Sequence, residues 1–106
     1  RVHLAKSVQA LRGAGDKPGF TVTLTLTSDG PIDNLRLLDP LPTGGSTVLT
    51  RTDLQVQGPG LSGQAVVQDG DSLVLPHVVA GSYAVQYTLL TDLPAERVVT
   101  TPGLSW

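Results

Sequence analysis

From Phe20 to Ser28 the chain alternates without a break. Phe20, Val22, Leu24 and Leu26 fall on one side, and Thr21, Thr23, Thr25 and Thr27 on the other. A helix would scatter these threonines around its circumference. The period of two therefore predicts a strand with one face in a core and the other in water. Ser82 to Thr91 repeats the arrangement, with Tyr83, Val85, Tyr87 and Leu89 sharing a face. Arg1 to Val8 places Val2, Leu4, Lys6 and Val8 on one side and His3, Ala5 and Ser7 on the other. Ile32 to Leu38 continues the apolar pattern with a slip at Leu37-Leu38. Val48 to Val56 alternates until a break near Asp53, which predicts one bent strand or two short ones.

Turn signals separate these runs. Asp29-Gly30-Pro31 joins a small polar residue, a glycine free to take positive φ and a proline that sets the next φ. Asp39-Pro40-Leu41-Pro42 stops the third run, because proline cannot donate to a ladder. Gly58-Pro59-Gly60 ends the fourth. Asp69-Gly70-Asp71, between short runs ending at Gln68 and starting at Ser72, predicts a tight hairpin. Pro76 to Gly81 reads as a connection, and Arg97 to Thr101 as the last strand. No stretch sustains helical spacing long enough to predict a helix. Six to nine short strands at regular intervals specify an all-β sandwich or small barrel, and the sandwich is preferred because its two one-sided strands can meet across a core about 10 Å thick.

Composition sharpens this picture. At 106 residues the chain suits one domain. Its apolar mass is Leu and Val with a large supplement of Thr, residues that pack well on a pleated surface. The formal charge is −2, and the seven Lys and Arg never cluster. A phosphate backbone demands converging cations, so nucleic acid is not expected as a partner. The apolar runs are too short or too polar to insert in a bilayer. There is no cysteine, which excludes disulfide staples and thiolate metal sites without deciding the compartment. A chain opening on Arg1 reads as a processed or excised piece.

Val22 to Gly30, Leu35 to Gly44 and Leu73 to Tyr87 together resemble a family of unknown function, number eleven in its series, that recurs in tandem in large bacterial and archaeal surface proteins. Its members open with a lysine-containing strand, as Leu4-Ala5-Lys6-Ser7 does here. A Pro/Gly approach to a Thr-rich strand follows, matched by Lys17-Pro18-Gly19-Phe20-Thr21-Val22. The family's Asp-x-Leu-Pro corner is matched by Asp39-Pro40-Leu41-Pro42, and its late Gly-containing segment by Val78-Val79-Ala80-Gly81-Ser82. Ser28-Asp29-Gly30 departs from the family's Asn-x-Gly turn, although Ser28 or Asp29 still offers an oxygen to cap it.

The resemblance implies an immunoglobulin-like β-sandwich of about seven strands, used as a spacer, stalk or wall-associated module of an extracellular or cell-envelope protein. It implies no catalysis and no cofactor, with neighbouring domains or copies of itself as partners. The residues expected to hold such a fold are Lys6, Phe20, Asp29, Gly30, Asp39, Pro42, Gly81 and Tyr87. Several surface-protein sandwiches also join a first-strand lysine to a last-strand Asn or Asp by an isopeptide bond. Lys6 lies on the face where such a lysine sits, but the only asparagine is Asn34 and the last strand offers none. The expectation is therefore that Lys6 lies near an open edge and carries its ammonium out to water.

Other chemistry is sparse. His3 and His77 are the only histidines, and no serine sits in a nucleophile elbow. Asp69 with Asp71, and Asp29 with Asp33, are too few oxygens for a hard cation and read as solvated turns. Gly44-Gly45-Ser46 and Gly58-Pro59-Gly60 lack the lysine and helix of a phosphate cradle. Asp39, just before Pro40, is expected to accept backbone N–H bonds at its corner. The alternatives to a spacer are a protein- or glycan-binding adhesion module using Trp106 and the loops at Gly44 and Gly60, or an envelope subunit assembling through its threonine rows or free edges.

Overall fold

The computed structural model describes residues 2–10, 19–41, 51–60, 66–91, 93 and 95–106. Its elements are β1 (Val2–Ala10), β2 (Gly19–Ser28), β3 (Ile32–Leu38), β4 (Arg51–Gln57), β5 (Val67–Asp69), β6 (Ser72–Val78), β7 (Gly81–Leu90), α1 (Ala95–Val98) and β8 (Gly103–Ser105). They form two four-stranded sheets, ordered β1-β2-β7-β4 and β5-β6-β3-β8, in which every pairing is antiparallel. The all-β sandwich expected from the alternation is the observed class.

The core follows the parity of the strands. Leu24 and Leu26 from β2, and Tyr83 and Val85 from β7, meet Leu35 and Leu37 from β3 and Leu73, Leu75 and Val78 from β6, all nearly or wholly excluded from water. A smaller cluster at one end joins Phe20, Val22, Tyr87, Leu89 and Val98. The threonines of β2 face outward, half-buried at Thr21 and Thr23 and exposed at Thr25 and Thr27.

Three elements depart from expectation. β6 runs through Pro76 to Val78 where a connection is expected. The register of β3 on β6 is continuous, but the position where Asn34 faces Pro76 makes no bridge. Proline has no N–H to give, and Asn34 takes φ 53°, a region asparagine tolerates better than most residues. Residues 97–101 are not a strand: Ala95–Val98 form a single helical turn, and the last strand is Gly103–Ser105. Pro94 stands just before the turn in the sequence, and Glu96 lies in its first turn, both of which suit a helix start. Val98 from this turn is buried in the smaller cluster. The slip expected at Leu37-Leu38 falls instead at Asn34: Ile32 packs on the core, Asp33 and Asn34 are both exposed, and the alternation is regular from Leu35 to Asp39.

The break near Asp53 is a β-bulge. Arg51 and Thr52 pair with Leu89 and Thr88, whereas Gln55 and Val56 pair with Gln86 and Val85, so Asp53 and Leu54 together oppose Tyr87. Asp53 takes φ 54° there. Two inward positions of opposite parity result. Arg51 before the bulge and Val56 after it are both buried, and Gln55 and Gln57 point out.

Glycine is required at two corners. A Cβ on Gly58 would overlap the Tyr83 ring, 2.7 Å from Cε2 and nearer still to Cδ2. Gly81 takes φ 142°, with Pro59 packed against it. Tyr83 completes this corner by donating its hydroxyl to the Pro59 carbonyl at 2.8 Å and accepting the Val79 N–H at 2.8 Å. At the other predicted turns, Gly70 has the expected positive φ in a two-residue hairpin between Asp69 and Ser72, but Gly30 does not have one. Ser28 caps the turn at Gly30, donating to the Gly30 carbonyl at 2.6 Å and accepting its N–H at 3.4 Å.

Candidate functional site

The group of side chains richest in chemistry lies between the sheets and centres on Asp39. Strand parity puts it there. Leu35 and Leu37 point into the core, and the next residue of the same parity is Asp39, held extended by Pro40 behind it. Its residue exposure is 0%.

Lys6 reaches this carboxylate from β1. Its Nζ lies 2.7 Å from Asp39 Oδ1, with side-chain exposures of 5% for the lysine and 0% for the aspartate. The ammonium also donates to Thr100 Oγ1 at 2.8 Å. The expected escape of Lys6 to water is thus overturned. β1 is an edge strand, but the inward face of an edge strand is still core, and a carboxylate waits there.

Tyr87, inward on β7, donates its hydroxyl to Asp39 Oδ2. Arg51 Nη2 stands 3.9 Å from the same oxygen, with both side chains wholly buried. Oδ1 therefore faces lysine and threonine, and Oδ2 faces phenol and guanidinium. The expectation that this carboxylate accepts backbone N–H bonds is corrected: its partners are side chains, and the Asp39 backbone N–H instead donates to the Asp71 carbonyl at 3.0 Å.

Arg51 adds a second set of contacts. It donates to the backbone carbonyls of Asp39, Gly70 (3.3 Å) and Asp71 (3.1 Å), tying β4 to the β5–β6 hairpin of the opposite sheet. Its guanidinium carbon lies 5.0 Å from the centroid of the Tyr87 ring, a cation–π contact between side chains that share a face. Among the described residues, Arg51 Nε is buried without a partner. Thr100 closes the group by donating to the Pro40 carbonyl at 2.7 Å.

Burial raises the Tyr87 phenol well above its ordinary pKa of about 10, and the Asp39 carboxylate adds to this through its hydrogen bond and its charge; Arg51 opposes them. Deprotonation would place a second anion beside Asp39 in a dry site, so the phenol stays a donor. The formal charges of Lys6, Asp39 and Arg51 sum to one positive. Ions enclosed in this way are destabilising unless they are paired and hydrogen-bonded, which the shared carboxylate and the three carbonyls accomplish.

The expected structural residues divide. Lys6, Asp39 and Tyr87 converge; Phe20 packs beside Tyr87 in the smaller cluster; Asp29 and Gly30 lie in the β2–β3 turn; Gly81 shapes the Pro59 corner. Pro42, the loop at Gly44 and the end of the Val48 run before Arg51 lie outside the described residues. Arg51 and Thr100 are the members that sequence reasoning missed. Arg51 was hidden by the bulge, which reverses its apparent parity, and Thr100 by the helical turn that delivers it.

The other candidates stay apart. His3 is exposed on β1. His77 Nδ1 lies 2.7 Å from Asp33 Oδ1 on the exposed side of the other sheet. Asp69 pairs with Arg36 at 3.2 Å in solvent. Trp106 is 73% exposed and covers little apolar surface. Among the described residues, no three His, Asp or Glu side chains converge to hold a metal ion, and no helix is long and apolar enough to cross a membrane. On the outer face of the β1-β2-β7-β4 sheet, Thr23, Gln55, Gln57, Ala84 and Gln86 line a shallow groove of about 260 Å³. No protein family, curated protein or solved structure matches the chain.

Proposed function

We propose that this chain is a non-catalytic structural or spacer module of a bacterial cell-surface or envelope protein, of the repeat type its motifs resemble. One observation carries the reading. The convergent ionic group of Lys6, Asp39 and Arg51 is enclosed between the sheets and bonded to itself, where it joins strands and faces no substrate. A catalytic site needs comparable groups at an accessible surface. The histidines lie exposed on different sheets, and His77 pairs with Asp33. The domain measures 40 × 25 × 20 Å, a shape suited to a link in a chain of domains.

Light scattering across concentration, combined with small-angle scattering, tests the spacer. The expected result is a constant monomer mass and a rigid particle of these dimensions. Mass that grows with concentration would replace the spacer with a self-assembling subunit. The precursor sequence tests the location: an export signal, an anchor or tandem copies are expected, and a cytosolic precursor without an export signal would overturn it.

A second reading, a protein- or glycan-binding module, draws on the groove of Thr23, Gln55, Gln57 and Gln86, whose amides and hydroxyl offer both donors and acceptors. Saturable binding to a glycan array, lost in Gln55→Ala and Gln86→Ala, would favour it.

A further inference from the structure

We propose that Lys6 and Asp39 are the two halves of an intramolecular amide cross-link that the folded protein forms on itself, joining β1 to the end of β3 across the sandwich. This goes beyond the spacer reading and stands or falls apart from it. Its partner residue is neither an asparagine nor on the last strand, which is why the sequence alone argued against a bond at Lys6.

Three features carry the inference. The amine and the carboxylate touch, at 2.7 Å from Nζ to Oδ1, and folding holds them there, replacing a bimolecular encounter by a fixed one. Both are buried, with side-chain exposures of 5% and 0%, so bulk water competes with the amine for the carboxyl carbon hardly at all. The two carboxyl oxygens are also differentiated. Oδ2 is held by the Tyr87 hydroxyl and lies near Arg51, as an oxygen that must accept negative charge would be. Oδ1 faces the lysine and Thr100, whose Oγ1 is 2.8 Å from Nζ and 3.4 Å from Oδ1.

The step balances within these groups. Lys6 Nζ passes one proton to Asp39 Oδ1, and the freed amine lone pair adds to Cγ. Negative charge then develops on Oδ2, against Tyr87 and Arg51. A second proton leaves Nζ, directly or through the Thr100 hydroxyl, for Oδ1, which departs as water while the carbonyl re-forms at Oδ2. One N–C bond forms and one C–O bond breaks. An ammonium and a carboxylate become an amide and one water, with no oxidant or co-reactant. The guanidinium that steadies the intermediate also favours the starting carboxylate, so proton transfer from Nζ limits the rate.

The intact mass of the purified, folded chain tests this, with far-ultraviolet circular dichroism establishing the sheet. The expected mass is one water below the sequence mass, and a digest yields a branched peptide joining the Lys6 and Asp39 segments. Asp29-Gly30 and Asp69-Gly70 can also lose water by forming succinimides, so Lys6→Arg is the control. This variant is expected to have its full sequence mass. Tyr87→Phe is expected to form the bond roughly 100-fold more slowly, the loss typical of removing one donor to a developing oxyanion. A folded protein at its full sequence mass overturns the proposal, as does a water deficit that persists in Lys6→Arg. An unchanged rate in Tyr87→Phe overturns the role given to the phenol.

Discussion

Lys6 Nζ and Asp39 Oδ1 meet at 2.7 Å although the residues stand 33 positions apart, one on an edge strand of the first sheet and one just past the end of a strand in the second. Tyr87 and Arg51 approach the same carboxylate from the first sheet, so a single side chain from one layer is gripped by three from the other. Each charged member of this group depends on the others to offset its desolvation.

Asp39→Ala is therefore expected to be the most damaging small substitution among these residues. Relative to the parent chain before the amide forms, it leaves Lys6 and Arg51 enclosed without their anion, at a cost of about 3–5 kcal/mol, the usual penalty for breaking a buried pair from one side. Urea denaturation checks this through the midpoint. A fall no larger than that of an exposed Thr25→Ala, within about 0.5 kcal/mol, would show that the carboxylate does not hold the group together.

The Tyr87 phenol links stability to alkaline pH. Its folded pKa is raised by burial first and by Asp39 second, above an ordinary value of about 10. The folded state thus holds this proton more tightly than the unfolded chain does. Its contribution is complete below pH 10 and is lost as pH rises above that value toward the folded pKa. Denaturation midpoints measured across alkaline pH should fall more steeply for the parent chain than for Tyr87→Phe. Parallel curves would contradict the assignment.

Gly58→Ala is expected to destabilise by overpacking, about 1–3 kcal/mol or more, because the new methyl meets the buried Tyr83 ring. Thermal unfolding measures the loss. In a Tyr83→Leu background, which removes the ring the methyl strikes, the cost of Gly58→Ala should shrink. No such coupling would mean that the backbone, and not the ring, sets the requirement.

Deletion of Asp53 tests the bulge. Without the extra residue, Arg51, Leu54 and Val56 fall on one side of a regular strand, opposite Leu89, Tyr87 and Val85, so the guanidinium and the core valine both stay inward. A fall in the urea midpoint well short of that of Asp39→Ala is expected. A fall as large as that of Asp39→Ala would show that the bulge itself holds Arg51 against the carboxylate.

What the sequence determined by itself is the strand content and the facing of most positions. Unbroken alternation in β1, β2 and β7 assigns Lys6, Leu24 and Tyr87 to the inward side, and continuing the parity of Leu35 and Leu37 reaches Asp39. Such information is local, since side chains on a strand must alternate whatever lies opposite. The tertiary structure decided who meets whom. Strand order brought β1 and the end of β3 to the same carboxylate, and a bulge at Asp53 turned Arg51 inward against its apparent phase. A single helical turn at Ala95–Val98, where a strand was expected, set Thr100 beside Lys6. None of these has a period to read. Each depends on burying charges that are tolerable inside only when their partners, distant in sequence, arrive together.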